Sequence, residues 1–245
     1  MKKKNLKNIS LIAVTSGEES ESIEALNYSS REINFHKKII FFDKFSNSKI
    51  KGINFINIPR LNNISEWGKF IVFDLYKFIE SDFIILIHPD GFIVNPSSWT
   101  DDFLKYDFIG APWKIPRDNY SCRDIYGNII RVGNSVSIRS KKLLALPSKL
   151  KIKWDNFDHG YPHEDGFLNV QHRHLLQEKG INFPTLDIAC KFGREATIPE
   201  NKNIDPFTFH KWSGKNKHFP CFNKKKRMKK FFFKINKGLK KFLNV

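Results

Sequence analysis

Sulfur is scarce in this 245-residue chain, which has two methionines and three cysteines. Cys122, Cys190 and Cys221 lie far apart and form no C-x-x-C pair. That spacing argues against a disulfide framework or a cysteine zinc site and suits a reducing compartment. Long hydrophobic runs are missing as well. No stretch approaches the roughly 18 apolar residues that span a bilayer, so any membrane contact is expected to be peripheral. Met1-Lys-Lys-Lys has the basic character of a signal-peptide start. The apolar run from Ile9 to Val14 is too short for the rest of one, and it passes directly into Thr15-Ser-Gly-Glu-Glu. It reads as a first strand.

Acid is in deficit, with 25 Asp and Glu against 42 Lys and Arg and a net charge of +17. The excess is local. From Phe222 to Val245 there are ten basic residues and no acid, which leaves the rest of the chain at about +7. What is plentiful is phenylalanine, 24 residues, in a chain that is 40% hydrophobic and 27% charged. Those proportions are globular, and the length fits one domain, since single domains run up to about 250 residues. We expect a catalytic domain over 1–221 and a separate basic tail over 222–245.

Along the chain, strand and helix signals alternate. After Ile9–Val14 comes helical spacing through Ile23, Leu26 and Ile33, then a strand at Lys38–Asp43 and a short one at Ile53–Ile58. A helix is expected over Ser65–Glu80, capped by Ser65 and burying Trp67, Phe70, Ile71, Phe73 and Leu75. Phe83-Ile-Ile-Leu-Ile-His88 is the strongest strand signal, a continuous apolar run suited to a central strand covered on both faces. Further on, Ile129–Ser140 reads as a strand entering a helix, His163–Lys179 as a helix, Asp187–Phe192 as a strand and Phe207–His210 as a short edge. The pattern predicts an α/β domain with a mostly parallel sheet flanked by helices.

In such sheets ligands gather beyond the carboxyl ends of the strands, which draws attention to Thr15, Ser16, Asp43, His88 and Asp90. Asp90, in His88-Pro-Asp-Gly-Phe92, can hold a divalent ion with His88 as a second ligand; Asp-Gly there is equally the sequence of a tight turn. Glu164-Asp165 opens a helical segment where a carboxylate can serve as a general base, or simply offset the helix dipole. In Arg131-Val-Gly133-Asn134-Ser-Val-Ser-Ile-Arg139, glycine permits close approach, while Asn134 and Arg139 can hydrogen-bond a sugar or phosphate; a bulge is the structural alternative. Trp113 can form a stacking wall or belong to the core. His210 can return to complete a metal shell or be a satisfied buried histidine. His159, His172 and His174 match no familiar zinc spacing.

The run Ser81–Trp99, continuing through Phe103-Leu-Lys-Tyr-Asp-Phe-Ile-Gly-Ala-Pro-Trp113, resembles a family of uncharacterised glycosyltransferase-like proteins associated with polysaccharide building. Gly133-Asn134 through Ile138-Arg139-Ser140, Glu164-Asp165, Phe192-Gly-Arg-Glu195 and Pro206–His210 follow in the same order. The resemblance implies a GT-A type nucleotide-binding fold, a nucleotide-sugar donor, a glycan or lipid-linked acceptor and a divalent ion, Mn²⁺ or Mg²⁺. It implies Asp90 as metal and diphosphate residue, with His88 where the Asp-x-Asp motif has its first acid. Asp165 becomes the base, Glu164 its neighbour orienting a sugar, and His210 a late metal ligand. The donor set is Thr15, Ser16, Asp90, Gly133, Asn134 and Arg139, with Trp113 on the acceptor side. Relatives usually read Gly-Asn-Gly-Gly-Phe where this chain has Gly133-Asn-Ser-Val-Ser137, a departure that bears on donor preference.

The tail repeats apolar residues at three- and four-residue steps from Met228 to Leu243 among lysines, a basic amphipathic pattern. It suggests contact with an anionic membrane surface through residues 224–243, at the inner, cytoplasmic face, and no specific nucleic acid. Two rival functions remain open: a nucleotidyltransferase on the same fold, and a non-catalytic basic protein that binds membrane or nucleic acid.

Overall fold

Seven consecutive buried residues build the strand Ile9–Thr15, and their side chains alternate between two separate hydrophobic layers. Leu11 and Ala13 join one layer, Ile12 and Val14 the other. Phe83–Ile87 divides the same way, with Ile85 and Ile87 on one side and Ile84 and Leu86 on the other. A strand with apolar side chains on both faces is stable only when both faces are covered, so these two strands lie at the centre of the sheet. The computed structural model describes residues 3–43, 50–154, 163–211 and 214–222.

In chain order the strands are β1 (Lys4–Leu6), β2 (Ile9–Thr15), β3 (Ile33–Phe35), β4 (Lys38–Phe42), β5 (Asn54–Asn57), β6 (Phe83–Ile87), β7 (Phe108–Pro112), β8 (Val132–Ser140), β9 (Gly193–Arg194) and β10 (Thr208–Phe209). The α-helices are α1 (Glu19–Ser29), α2 (Ile64–Lys69), α3 (Lys141–Lys149), α4 (Glu164–Gly166), α5 (Arg173–Glu178) and α6 (Leu186–Phe192). Six strands form one sheet in the order β5-β4-β2-β6-β8-β7. The first four are mutually parallel, whereas β8 runs antiparallel to both β6 and β7. The expected α/β architecture, a mixed and mostly parallel sheet flanked by helices, is therefore present.

Register decides where the ligand edge lies. Ala13 pairs with Ile87, so the residues after β2 and after β6 leave the sheet side by side. Leu86 pairs with Ser137 on the antiparallel strand, which carries Asn134 and Ser135 past the end of β6 to that same edge. Gly110 pairs with Ser137, so Trp113 emerges there too, after a register shift between Gly110 and Pro112. Two small parallel strands complete the edge. β9 beside β10 aligns Arg194 with Phe209 and brings the next residues, Glu195 and His210, together.

Several local expectations change. Ile33 begins β3 and does not belong to the first helix, which ends at Ser29. The helix expected over Ser65–Glu80 starts at Ile64, capped by Asn63, whose side chain accepts from the Glu66 amide. Ser65 instead accepts from the Trp154 indole at 2.9 Å. That helix then widens to a π-helical turn at Phe70–Asp74 and ends as 3₁₀ at Leu75–Phe78. The 163–179 helix is likewise broken, α4 and α5 being separated by a π-helical turn at Phe167–Gln171. Asp187–Phe192 is helical, not a strand: Pro184-Thr185 starts α6, and Ala189 and Phe192 bury one helical face at a three-residue step. No helix among the described residues is long and apolar enough to cross a membrane. The tail from residue 223 and His159 lie outside the described residues.

Candidate active site

The chain turns sharply after β6. His88 N–H donates to the Gly91 carbonyl at 2.7 Å and Gly91 N–H returns to the His88 carbonyl at 3.1 Å, presenting Asp90 at the tip. The tight-turn reading of His-Pro-Asp-Gly is thus realised, and the turn holds the Asp90 carboxylate at the sheet edge. Gly91 is required by close approach. A Cβ there would lie 2.5 Å from Val136 and 2.8 Å from the His210 ring.

This turn forms one side of a cleft of about 1240 Å³. Thr15, Ser16, His88, Asp90, Trp113, Asn134, Glu164, Asp165 and His210 all line it. Of the residues singled out from sequence, Gly133 and Arg139 do not. Gly133 lies behind Trp113, where a Cβ would fall 1.9 Å from the indole. Arg139 is completely buried; its guanidinium packs over the Phe108 ring at 5.2 Å and donates to Glu164 Oε1 at 2.8 Å. The expected donor contact from Arg139 is therefore not made from this position, because the side chain points into the core behind Glu164. Asp43 also stays outside the cleft, with Oδ2 3.9 Å from Arg60 Nε.

Asp165 is fixed by the backbone. Asn134 N–H donates to Oδ2 at 3.1 Å and Gly166 N–H to Oδ1 at 2.8 Å. Asn134 adopts φ +85°, a left-handed conformation that asparagine tolerates better than most residues and that aims its amide at the carboxylate. Its own side chain is engaged twice: Oδ1 accepts from Val136 N–H, and Nδ2 donates to Glu195 Oε2 at 3.0 Å. Glu195 in turn meets Lys211 Nζ at 2.6 Å and lies 3.9 Å from His210 Nδ1. The other nitrogen of His210 is 3.9 Å from Asp90 Oδ1. A continuous polar chain thus links Asp165 to Asp90 through Asn134, Glu195 and His210.

Glu195 is a cleft residue that no spacing pattern in the sequence marks. The available signal was its position immediately after a short strand, in the Phe192-Gly-Arg-Glu195 block. Helical spacing places Trp67 on a buried face, and in the structure it lines the cleft while its indole donates to the Val14 carbonyl at 3.1 Å.

Burial sets the protonation states. His88 is pushed down to about 3 by desolvation, then by the neighbouring His210, so its imidazole is neutral at pH 7. Its Nε2 is buried without a hydrogen-bond partner among the described residues. Glu164 is pushed up to about 7 by burial and by Asp165 beside it, with Arg139 opposing. For Lys211, burial acts downward, but Glu195, Asp165 and Asp90 outweigh it and raise the ammonium above its ordinary value.

Among the described residues no group of three or more His, Cys, Asp or Glu side chains is arranged to hold a metal by itself. The Asp90–His210 pair, with the neutral, unpartnered His88 nitrogen nearby and the two imidazoles 5.5 Å apart, fits a different kind of site. Hard divalent ions such as Mg²⁺ commonly take one or two protein ligands and complete their shell with phosphate oxygens and water.

Residues 52–210 match the model of a family described as "Protein of unknown function (DUF5672)". The chain belongs to that family. The matched region of this DUF5672 chain contains Asp90, Asn134, Glu164, Asp165, Glu195 and His210, while Thr15 and Ser16 precede it. A search of curated proteins finds no match. Among solved structures, the bifunctional IspDF of Campylobacter jejuni is similar at 15% identity and a TM-score of 0.39, over 63% of this chain and 45% of that one. S. aureus TarS residues 1–349 is similar at 16% identity and 0.39, over 69% and 56%. The galactosyltransferase LgtC, in complex with donor and acceptor sugar analogs, is similar at 12% identity and 0.45, over 86% and 90%. The chain spans about half the length of the first two. Similarity at this level is distant, so the chemistry of the cleft has to be derived from its own residues.

Proposed function

We propose that this protein is a glycosyltransferase that moves a sugar from a nucleotide donor onto a glycan or lipid-linked acceptor, with inversion. The observation that carries the reading is that Asp90 and Asp165 line one cleft at the carboxyl edge of the parallel strands. Inverting transfer needs a base on the attacking side of the anomeric carbon and charge neutralisation on the leaving side. Asp165 takes the proton of the acceptor hydroxyl as its oxygen bonds to the anomeric carbon, and the bond to the diphosphate breaks with its electron pair leaving on phosphate. The two backbone amides on Asp165 orient it for that role.

Mn²⁺ or Mg²⁺ would be held by Asp90 and His210 with His88 beside them, and would supply neutralisation of the departing diphosphate. Glu164, clamped by Arg139, shapes the floor beneath Asp165. Thr15, Ser16 and Asn134 face the donor, although the Thr15 and Ser16 hydroxyls already accept from Glu18 N–H and Leu61 N–H. Gly133 acts indirectly by leaving room for the Trp113 indole in the cleft wall. In this reading the tail over 224–243 brings the enzyme to an anionic membrane at its cytoplasmic face, near a membrane-borne acceptor.

The test is a panel of nucleotide sugars with Mn²⁺ or Mg²⁺, measuring thermal stabilisation and slow donor hydrolysis. Release of nucleoside diphosphate, lost in Asp90→Asn, is the expected result. Release of pyrophosphate from a nucleoside triphosphate would instead make the protein a nucleotidyltransferase.

A further inference from the structure

Between β7 and β8 the chain makes a long excursion whose base is closed by Trp113 N–H donating to the Arg131 carbonyl at 2.8 Å. Arg131 is anchored in turn by a two-pronged contact with Glu200. The excursion folds back on itself as an irregular hairpin, with Ile130 N–H on the Cys122 carbonyl at 2.7 Å and Arg123 bridged to Ile129. Two aspartates shape it locally. Asp118 accepts from the amides of Tyr120 and Ser121, and Asp124 from those of Tyr126 and Asn128. The tip rests near α5, where the Tyr126 ring meets His174 at 6.4 Å and the Asp124 charge acts on Arg173.

This hairpin carries large apolar side chains that remain in water. Tyr120 is 54% exposed, Ile125 58% and Tyr126 71%. Tyr120 and Ile125 line the cleft, and so do Arg123 and Asp124. Sheet order fixes which end of the cleft they occupy. Thr15 and Ser16 follow β2, Asp90 follows β6, Asn134 belongs to β8 and Trp113 follows β7, so the hairpin closes the end farthest from Thr15 and Ser16. It is also the end next to the base: Cys122, on the hairpin, is held above the usual thiol range by burial and by the charge of Asp165.

We propose that the 118–130 hairpin is the acceptor-recognition element, and that the acceptor portion it binds is a glycan, one sugar ring stacking on Tyr120 with Ile125 beside it. This rests on the glycosyltransferase reading above. A pyranose ring has an apolar C–H face and a rim of hydroxyls, and the hairpin offers the complement: an aromatic face flanked by the Arg123 guanidinium at the cleft wall. A ring seated there extends toward Trp113 and presents a hydroxyl to Asp165. Asp124 is already satisfied within the hairpin and Arg123 Nη1 donates to the Gly127 carbonyl, but Arg123 Nε is buried without a partner among the described residues, and a sugar hydroxyl can accept from it where a purely lipidic ligand cannot.

The test uses the full chain on an array of immobilised oligosaccharides, alongside UDP-sugar and GDP-sugar binding in solution with Mn²⁺. The wild type should retain at least one glycan class. Tyr120→Ala and Ile125→Ser should each weaken that retention about tenfold while donor affinity stays within about twofold. Tyr120→Phe, which keeps the stacking face, should restore it, and Tyr126→Ala, outside the cleft lining, should behave as wild type. Melting curves confirm that each variant is folded. Glycan retention unchanged in Tyr120→Ala and Ile125→Ser overturns the proposal, as does a chain that binds nucleotide sugar but no glycan. A chain that binds no nucleotide sugar at all overturns the glycosyltransferase reading itself.

Discussion

Replacing Glu164 by glutamine should change how the stability of this protein depends on pH. Glu164 is 1% exposed, and burial next to Asp165 raises its carboxyl from 4.5 to about 7 despite the Arg139 contact. Between those values the unfolded chain releases the proton while the folded chain keeps it. The contribution of this carboxyl to stability is therefore complete below pH 4.5 and lost as pH rises through 7, by about 3 kcal/mol. His88 acts with the opposite sign. Its folded value of about 3 lies below the ordinary 6.5, so the unfolded chain binds the extra proton and stability rises with pH across that interval. The two slopes oppose each other between pH 4.5 and 6.5, so wild type alone is uninformative there. Urea unfolding of wild type and Glu164→Gln at pH 4.5, 6 and 8, without divalent ions, separates them. The stability of the variant relative to wild type should improve by about 3 kcal/mol from the lowest to the highest pH. A difference independent of pH would refute the argument, because it would mean that Glu164 is ionised throughout, with Arg139 fully offsetting burial.

Asp165→Asn should lower transfer at least about 100-fold with donor affinity nearly unchanged, because it removes a proton acceptor and keeps the shape; equal losses in donor binding and turnover would contradict that. Gly133→Ala sets a methyl 1.9 Å from the Trp113 indole and should destabilise by about 1–3 kcal/mol while displacing that cleft wall; calorimetric melting reads the first effect and tryptophan fluorescence the second. Asp90→Asn and His210→Ala should each abolish Mn²⁺-dependent stabilisation by nucleoside diphosphate, and persistence of that stabilisation in both would remove the metal assignment. A chain ending at Cys221 should lose binding to anionic vesicles, and full retention would show that residues 224–243 are not the membrane contact.

The sheet was legible because its central strands are almost continuously apolar, rich in β-branched residues and bounded by turn residues. Asp90 was legible for the same reason, as it follows the strongest strand by three positions. Helix ends were less readable. Asn63 and Ser65 are both competent caps, and nothing local tells which one faces the free amides; Trp154, 89 positions from Ser65, takes the Ser65 hydroxyl. Asp187–Phe192 is short enough for an apolar run to suit either strand or helix, and the outcome rests on how it packs on β7.

Within the site, Arg139 illustrates the limit of spacing arguments. An arginine on the strand that carries Asn134 can face the cleft or the core, and alternation along a strand broken in register opposite Gly110 does not decide between them. Glu195 and the 118–130 hairpin escaped for a different reason. Both sit on irregular segments, where neither two-residue nor 3.6-residue periodicity exists to be read, and their place in the cleft comes from contacts made across long stretches of chain.

The most direct measurement is crystallographic: anomalous scattering from Mn²⁺ in crystals grown with the ion and a nucleoside diphosphate. A manganese peak joining Asp90 and His210 to the diphosphate, with Asp165 across the cleft on the side away from the phosphates, is the predicted result. Nucleotide and manganese bound elsewhere, or a diphosphate lying against Asp165, would contradict the account.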